Sequence, residues 1–275
     1  MNNVFEILPS SFDAEKCILI CEVNNEGFSF CIKEPELNNF IGLGIYHFDN
    51  SKPAEGFPIA LQVLFHQKEF LLKNFKRVCI VYSFPQSVLI PFSIYKRENN
   101  KTMMNLMFGD VDSNETILTD VIPVHSMYNC YRLSQSTIEV MQNHFKNSST
   151  QHQYSLILNN PVEGQDKMIV IFYARKVVVD LQMNGKHQLI NSYNYQYSED
   201  ISYVLLNIKQ QFKIKNIHLV LSGLIEENSA LYKEIYKYFD TIEFSGYRKD
   251  IAYSEEIKEF PSHYFSYLFE MDSCE

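Results

Sequence analysis

Lys167–Tyr247 reads KMIVIFYARKVVVDLQMNGKHQLINSYNYQYSEDISYVLLNIKQQFKIKNIHLVLSGLIEENSALYKEIYKYFDTIEFSGY. Met168–Tyr173 is an apolar run of β-branched and aromatic residues, and Val177–Val179 resume it after Ala174-Arg175-Lys176. Asn184-Gly185 tolerates positive φ and predicts a tight hairpin, with His187–Tyr195 as the returning strand. The three segments form an antiparallel meander. From Ser198 the period changes: Ile201, Val204, Leu205, Ile208 and Phe212 make one helical stripe. Ser198 is the expected N-cap, and Glu199 and Asp200 suit the positive end of the helix. Ile217–Leu221 is a buried-type strand ending at Ser222-Gly223. Leu231, Ile235 and Phe239 mark a second helix, and Thr241–Phe244 a closing strand. A strand, helix, strand succession implies a right-handed parallel crossover. The stretch therefore predicts an α/β unit on a mixed sheet.

The N-terminal half repeats this order without repeating its residues. Cys17–Val23 and Phe28–Lys33 read as strands around the turn Asn24-Asn25-Glu26-Gly27. Glu34–Phe40 reads as a loop and Gly42–Phe48 as the third strand. A polar connection over 51–56, a helix over Ile59–Asn74 and strands at Val78–Tyr82 and Val88–Ile90 follow. Met1–Glu15 is expected to be an irregular lead-in. Phe92–Glu98 and Thr102–Phe108 read equally as helix or strand. Gly109–Thr119 is expected to be an exposed acidic loop, Asn129–Leu133 a strand, and Ser136 with Glu139 a capping box for a helix to Phe145. Polar Lys146–Thr150 suggests a boundary between lobes at 1–150 and 151–275. Tyr154–Leu158 reads as a strand and Lys249–Glu259 as a loop. Ser262–Met271 reads as a last helix that can pack back on the first lobe.

The formal net charge of −9 over 275 residues argues against a generic nucleic-acid binder, which needs a basic face to displace counterions. Cys17, Cys21, Cys31, Cys79, Cys130 and Cys274 contain no Cys-x-x-Cys pair, and most lie in apolar runs, where free cysteine acts as a small hydrophobe. Met1–Lys16 lacks the basic and apolar regions of a signal peptide, and no apolar run suits a membrane span. These features predict a reduced, cytoplasmic protein without membrane insertion.

Two successive units of three antiparallel strands, helix, strand and helix resemble the actin-like ATPase superfold of actin, sugar kinases and heat-shock chaperones. Asn191-Ser192-Tyr193-Asn194-Tyr195, Glu199-Asp200-Ile201-Ser202-Tyr203 and Leu219-Val220-Leu221-Ser222-Gly223 are more narrowly similar to an uncharacterised bacterial family of that fold, a domain of unknown function. The resemblance implies two lobes built from duplicated ribonuclease-H-like βββαβα units. In ATP-binding members the first hairpin of each lobe holds phosphate, an acidic residue positions Mg²⁺, and a Gly-rich turn packs against the adenosine. Here Glu22 stands where Asp is expected and Asn24 where Gly is expected, with Gly27 closing the turn. Glu26 adds charge that repels phosphate. Arg175 and Lys176 occupy the second hairpin without a carboxylate, and Ser222-Gly223 keeps one Gly of the adenosine turn. These degenerate positions imply a non-catalytic scaffold with protein partners and no cofactor. The alternative is a nucleotide-binding protein, taking ATP and Mg²⁺, with weak or no ATPase activity.

Other chemistry is weaker in the sequence. Gly-x-Ser-x-Gly, the P-loop pattern and His-Glu-x-x-His are absent, and the eight histidines show no pair at helical ligand spacing. Ile41-Gly42-Leu43-Gly44 leads into a strand and reads as strand packing or a bulge. Asp110, Asp112 and Glu115 lack the Gly and closing Glu of a calcium loop.

Overall fold

Two sheets with the same strand order organise residues 2–48 and 56–273, the part of the chain that the computed structural model describes. One compact unit comprises Met1–Asn160, Asp250–Ile257 and Met271–Glu275. The other comprises Pro161–Lys249 and Lys258–Glu270. The connection read over 51–56, except Gly56, and Cys274 lie outside the described residues.

The first unit contains β1 (Asn2–Ile7), β2 (Ile18–Asn24), β3 (Gly27–Glu34), β4 (Asn39–His47), α1 (Gly56–Gln67), β5 (Arg77–Ser83), β6 (Ser87–Pro91), α2 (Asn100–Phe108), β7 (Glu115–Ile122), β8 (Met127–Ser134), α3 (Gln135–His144), β9 (Ser149–His152) and α4 (Gln153–Asn159). Its main sheet runs β1-β4-β3-β2-β5-β9, and Ala252–Tyr253 adds beside β4. β2 pairs antiparallel with β3 and parallel with β5, so both its edges are satisfied and only Ile18 escapes full burial. Leu61, Leu64 and Phe65 of α1 cover one face. Phe65 packs edge-on against Phe28, with ring centroids 5.4 Å apart. A bulge places Ile41 as the extra residue where Ile32 pairs with Gly42 and Lys33 with Phe40. The free cysteines Cys17, Cys21, Cys31, Cys79 and Cys130 are all buried, as expected for small hydrophobes.

Between β5 and α3 the chain inserts a three-stranded sheet, β6-β8-β7, with α2 on one face. Ile90, Met104 and Cys130 form its core. Asn100 settles the segment that read as helix or strand: it begins α2, and its Nδ2 donates to the Tyr95 hydroxyl and Thr119 Oγ1, both at 3.2 Å. Buried polar groups tie the insert to β9 and α4. The Tyr131 hydroxyl and the His152 N–H donate to Asp120, at 3.1 and 2.7 Å, and Asn129 Nδ2 donates to Ser155 Oγ at 2.9 Å. Burial raises the Asp120 carboxyl above its usual value, against the lowering pull of the His152 N–H and the Ser155 and Tyr131 hydroxyls.

Several expected elements in this unit are corrected. The lead-in contains β1, an antiparallel partner of β4 whose polar residues hid its alternation. Strand β7 begins at Glu115, inside the expected acidic loop, and its mostly half-exposed residues explain the misreading. Tyr154–Leu158 is helical. A short apolar run does not separate helix from buried strand, and His152 Nδ1 caps this one by accepting from the Tyr154 N–H at 3.1 Å. α1 stops at Gln67 because Lys68 turns extended; a 3₁₀ turn, Glu69–Leu72, continues the apolar pattern. The N-cap of α3 is Ser134, which places Ser136 inside the helix.

The second unit contains β10 (Lys167–Phe172), β11 (Lys176–Met183), β12 (Lys186–Asn194), α5 (Ser198–Gln211), β13 (His218–Gly223), α6 (Ala230–Tyr236) and β14 (Ile242–Phe244). Its order, β12-β11-β10-β13-β14, reproduces β4-β3-β2-β5-β9, with β10 antiparallel to β11 and parallel to β13. Asn184 and Gly185 have φ of 54° and 70°, as the hairpin requires. Ile201, Leu205 and Ile208 bury the expected stripe of α5. Its N-cap is Tyr197 rather than Ser198. The Asp200 carboxylate, at the third helical position, reaches back to accept from the Gln196 and Tyr197 N–H groups at 2.9 and 3.0 Å, the return bond of a capping box. In place of one helix over Ser262–Met271 there are short turns, Ser262–Tyr264, Ser266–Phe269 and Glu270–Ser273. Among the described residues, no helix is long and apolar enough to cross a membrane.

Gly27 pairs with His47, and a Cβ there would lie 1.9 Å from the Tyr46 carbonyl oxygen. Gly27→Ala is therefore expected to lower the unfolding free energy by about 2 kcal/mol or more. Gly246→Ala, where a Cβ meets open space, is expected to change it by less than about 0.5 kcal/mol. Equilibrium urea unfolding checks both.

Candidate functional site

The residues singled out from the sequence fall on or beside three turns. Glu22, Asn24 and Gly27 belong to the first unit; Arg175, Lys176, Ser222 and Gly223 belong to the second.

Glu22 is fully buried on β2, in register with Ser29 on β3 and Val81 on β5. Asn24 ends that strand, and its Oδ1 accepts from the N–H groups of Glu26 at 2.7 Å and Gly27 at 3.1 Å. These are the kind of backbone donors that a phosphate needs at a hairpin, and here the side chain of the turn's own first residue takes them. The Glu26 carbonyl accepts from the Phe48 N–H at 2.9 Å, and the Glu26 side chain is buried. Gly27 is explained by the closeness of the Tyr46 backbone.

In the second unit two of the turns come together. Phe172 on β10 lies in register with Gly223 on β13, and the Leu224 N–H donates to the Phe172 carbonyl at 2.9 Å. Gly223 has φ of +85°, and a Cβ on it would approach that carbonyl to 2.2 Å, so backbone shape alone demands glycine. On the hairpin, the Tyr173 N–H donates to the Lys176 carbonyl at 2.9 Å and the Tyr195 hydroxyl donates to the Tyr173 carbonyl at 2.7 Å. Arg175 is exposed on this turn. Lys176 is buried, with Nζ 4.5 Å from the centre of the Tyr173 ring, a cation–π contact.

The Ser222-Gly223 turn is covered by a segment that sequence reasoning did not connect with it. Ser222 Oγ and Ser266 Oγ are hydrogen-bonded at 2.7 Å, and Ser266 Oγ also meets Ser245 Oγ at 2.5 Å. His263 Nε2 donates to the Ile225 carbonyl at 2.7 Å, and its ring lies 4.3 Å from that of Phe244. Ser222, His263 and Ser266 are all buried. No motif announces this contact; the only local sign is a small Ser266 among Tyr264, Phe265 and Tyr267. Burial holds the His263 imidazole below its ordinary value near 6.5, against the raising pull of the Ile225 carbonyl and of Glu227.

The chain has the actin-like ATPase fold. The chain belongs to the family described as "Protein of unknown function (DUF3822)", whose profile matches residues 10–242. It is similar to a Bacteroides thetaiotaomicron protein with actin-like ATPase fold and unknown function. That pair shares 18% identity over 86% of this chain and 94% of that one, with a TM-score of 0.72. It is similar also to a chain of the PilM–PilN type IV pilus biogenesis complex, at 11% identity over 94% and 98% of the two chains and a TM-score of 0.57. The cytoplasmic domain of EpsL, an inner-membrane component of the type II secretion system of Vibrio cholerae, is 9% identical over 84% and 90%, with a TM-score of 0.51. No curated protein matches the chain by sequence.

The His263 contact predicts a pH dependence. A histidine whose folded value lies below its unfolded one resists protonation when folded, so its contribution is complete above about pH 6.5. That contribution is lost as pH falls from there toward the folded value. Amide exchange of Leu224–Glu226 and of 262–269, corrected for intrinsic rates, is expected to be faster at pH 5.5 than at pH 7.5, and His263→Gln is expected to remove the difference.

Proposed function

We propose that this chain is a non-catalytic protein-binding module of the cytoplasm, built on an actin-like frame whose nucleotide-binding positions have been turned to structural use. The observation that carries this reading is the Asn24 side chain on the Glu26 and Gly27 N–H groups. It satisfies within the chain the donors that would otherwise receive a phosphate. The hydrogen bond between the Ser222 and Ser266 hydroxyls repeats the pattern at the turn where an adenosine would pack. Lys176, set over the Tyr173 ring, extends it to the second hairpin. Phosphoryl transfer depends on positioned donors and on a carboxylate-held metal, and the turn from Phe172 to Lys176 supplies no carboxylate. The similar chains of a pilus biogenesis complex and of a secretion-system component belong to assemblies, which supports a protein partner as the ligand class.

A second reading keeps nucleotide binding with weak or no hydrolysis. It is favoured by Arg175, an exposed cation on the turn beside Gly223.

Calorimetric titration with ATP and Mg²⁺ separates the two. No heat of binding is expected at physiological Mg²⁺. A dissociation constant in the low micromolar range, abolished by Gly223→Glu and weakened by Arg175→Ala, would overturn the first reading and establish the second.

A further inference from the structure

We infer that the end of the inserted sheet formed by the β6 exit and the β7–β8 turn is the docking surface, and that it takes an acidic peptide segment carrying aromatic or aliphatic anchors. The inference rests on the protein-binding reading above and names the partner class.

Hydrogen bonds bring the parts of the surface together. The Phe92 N–H donates to the Ser126 carbonyl at 2.9 Å, fastening the segment after β6 to the turn between β7 and β8. The N–H groups of Ile94 and Tyr95 both donate to the Pro91 carbonyl at 3.1 Å, which folds 91–95 into a tight turn. The Tyr128 ring lies 4.7 Å from that of Phe92 and 3.9 Å from that of Tyr95, and Val121 is its partner in register. On this frame Phe92 is 40% exposed, Val121 51%, Ile94 62% and Val124 67%. Four large apolar side chains at one end of so small a sheet are a surface that gains by being covered. Their backbone is already fixed by the bonds just named, so a partner would pay little to order them.

Charge selects the occupant. Lys96, Arg97 and Lys101 follow directly and are exposed, with Glu98 the one acid among them. None of the three cations takes part in an ion pair among the described residues. This rim is basic in a chain of net charge −9. A second copy pairing through the same patch would bring two basic rims into one interface, with only Glu98 of each to offset them. An anionic bilayer would meet three cations on a protein whose overall charge it repels. A peptide with carboxylates flanking aliphatic or aromatic residues fits both the apolar end and its rim, and aromatic anchors carry most of the energy in such contacts.

The test is selection of a phage-displayed library of random peptides on the full chain, with the enriched peptides then measured by fluorescence anisotropy. The expected result is enrichment of acidic peptides with aromatic or aliphatic residues. Their binding should weaken about ten-fold or more in Ile94→Asp and in the Lys96→Glu, Arg97→Glu double variant, and be unchanged in Leu72→Asp. Leu72 is also exposed, at 60%, and lies outside the insert. Unchanged melting temperatures will show that these surface variants still fold. Failure to enrich, enrichment without acidic character, or binding indifferent to the Ile94 and Lys96–Arg97 variants would overturn the inference. So would dimerisation in sedimentation velocity, or flotation with phosphatidylglycerol vesicles, that Ile94→Asp abolishes. Nucleotide binding overturns the earlier reading and is measured separately, so the two failures are distinguishable.

Discussion

The central strand of each main sheet, β2 in one unit and β10 in the other, is hydrogen-bonded along both edges, antiparallel to one neighbour and parallel to the other. That constraint shapes most of what surrounds it. A strand paired on both sides and packed on both faces must be apolar almost throughout, as Leu19–Val23 and Met168–Phe172 are, apart from Glu22. A parallel neighbour cannot be reached by a hairpin, so a crossover helix must intervene: α1 before β5 and α5 before β13. The parallel register then sets the backbones of Phe172 and Gly223 side by side. Gly223 is tolerated there only because it lacks a Cβ.

The same constraint explains which elements were legible in the sequence. Buried strands and the stripe on α5 have strong periods, so the meander, the crossover and the repeat of order can be read directly. What escaped lies at edges and in short pieces. Strand β1 mixes Asn and Glu with apolar residues, β7 is half-exposed along its length, and α4 is too short for its period to separate helix from strand. The caps were misassigned because a cap is a matter of geometry. Asp200, read only as a favourable charge, captures two N–H groups, while Ser198 sits one residue inside the helix.

At the candidate site residue types were legible, but not their engagements. Asn24 was legible as a departure from glycine; that its amide oxygen would take the two turn N–H groups was not. The pairing of Ser222 with Ser266 spans 44 residues and has no local signature. Gly27 and Gly223 resemble remnants of a phosphate-binding motif, yet both are required by close backbone contacts that any chain with these registers would need. Backbone packing alone therefore accounts for glycine at both positions.

The central claim is that the first hairpin's donors are committed to Asn24. Amide ¹H–¹⁵N shifts of Glu26 and Gly27, followed during titration with ATP and Mg²⁺, test it at the atoms concerned. The account predicts that these two amides do not move in the wild-type chain. Saturable shifts at Glu26 and Gly27, matched by shifts at Gly223 and Leu224, would contradict it.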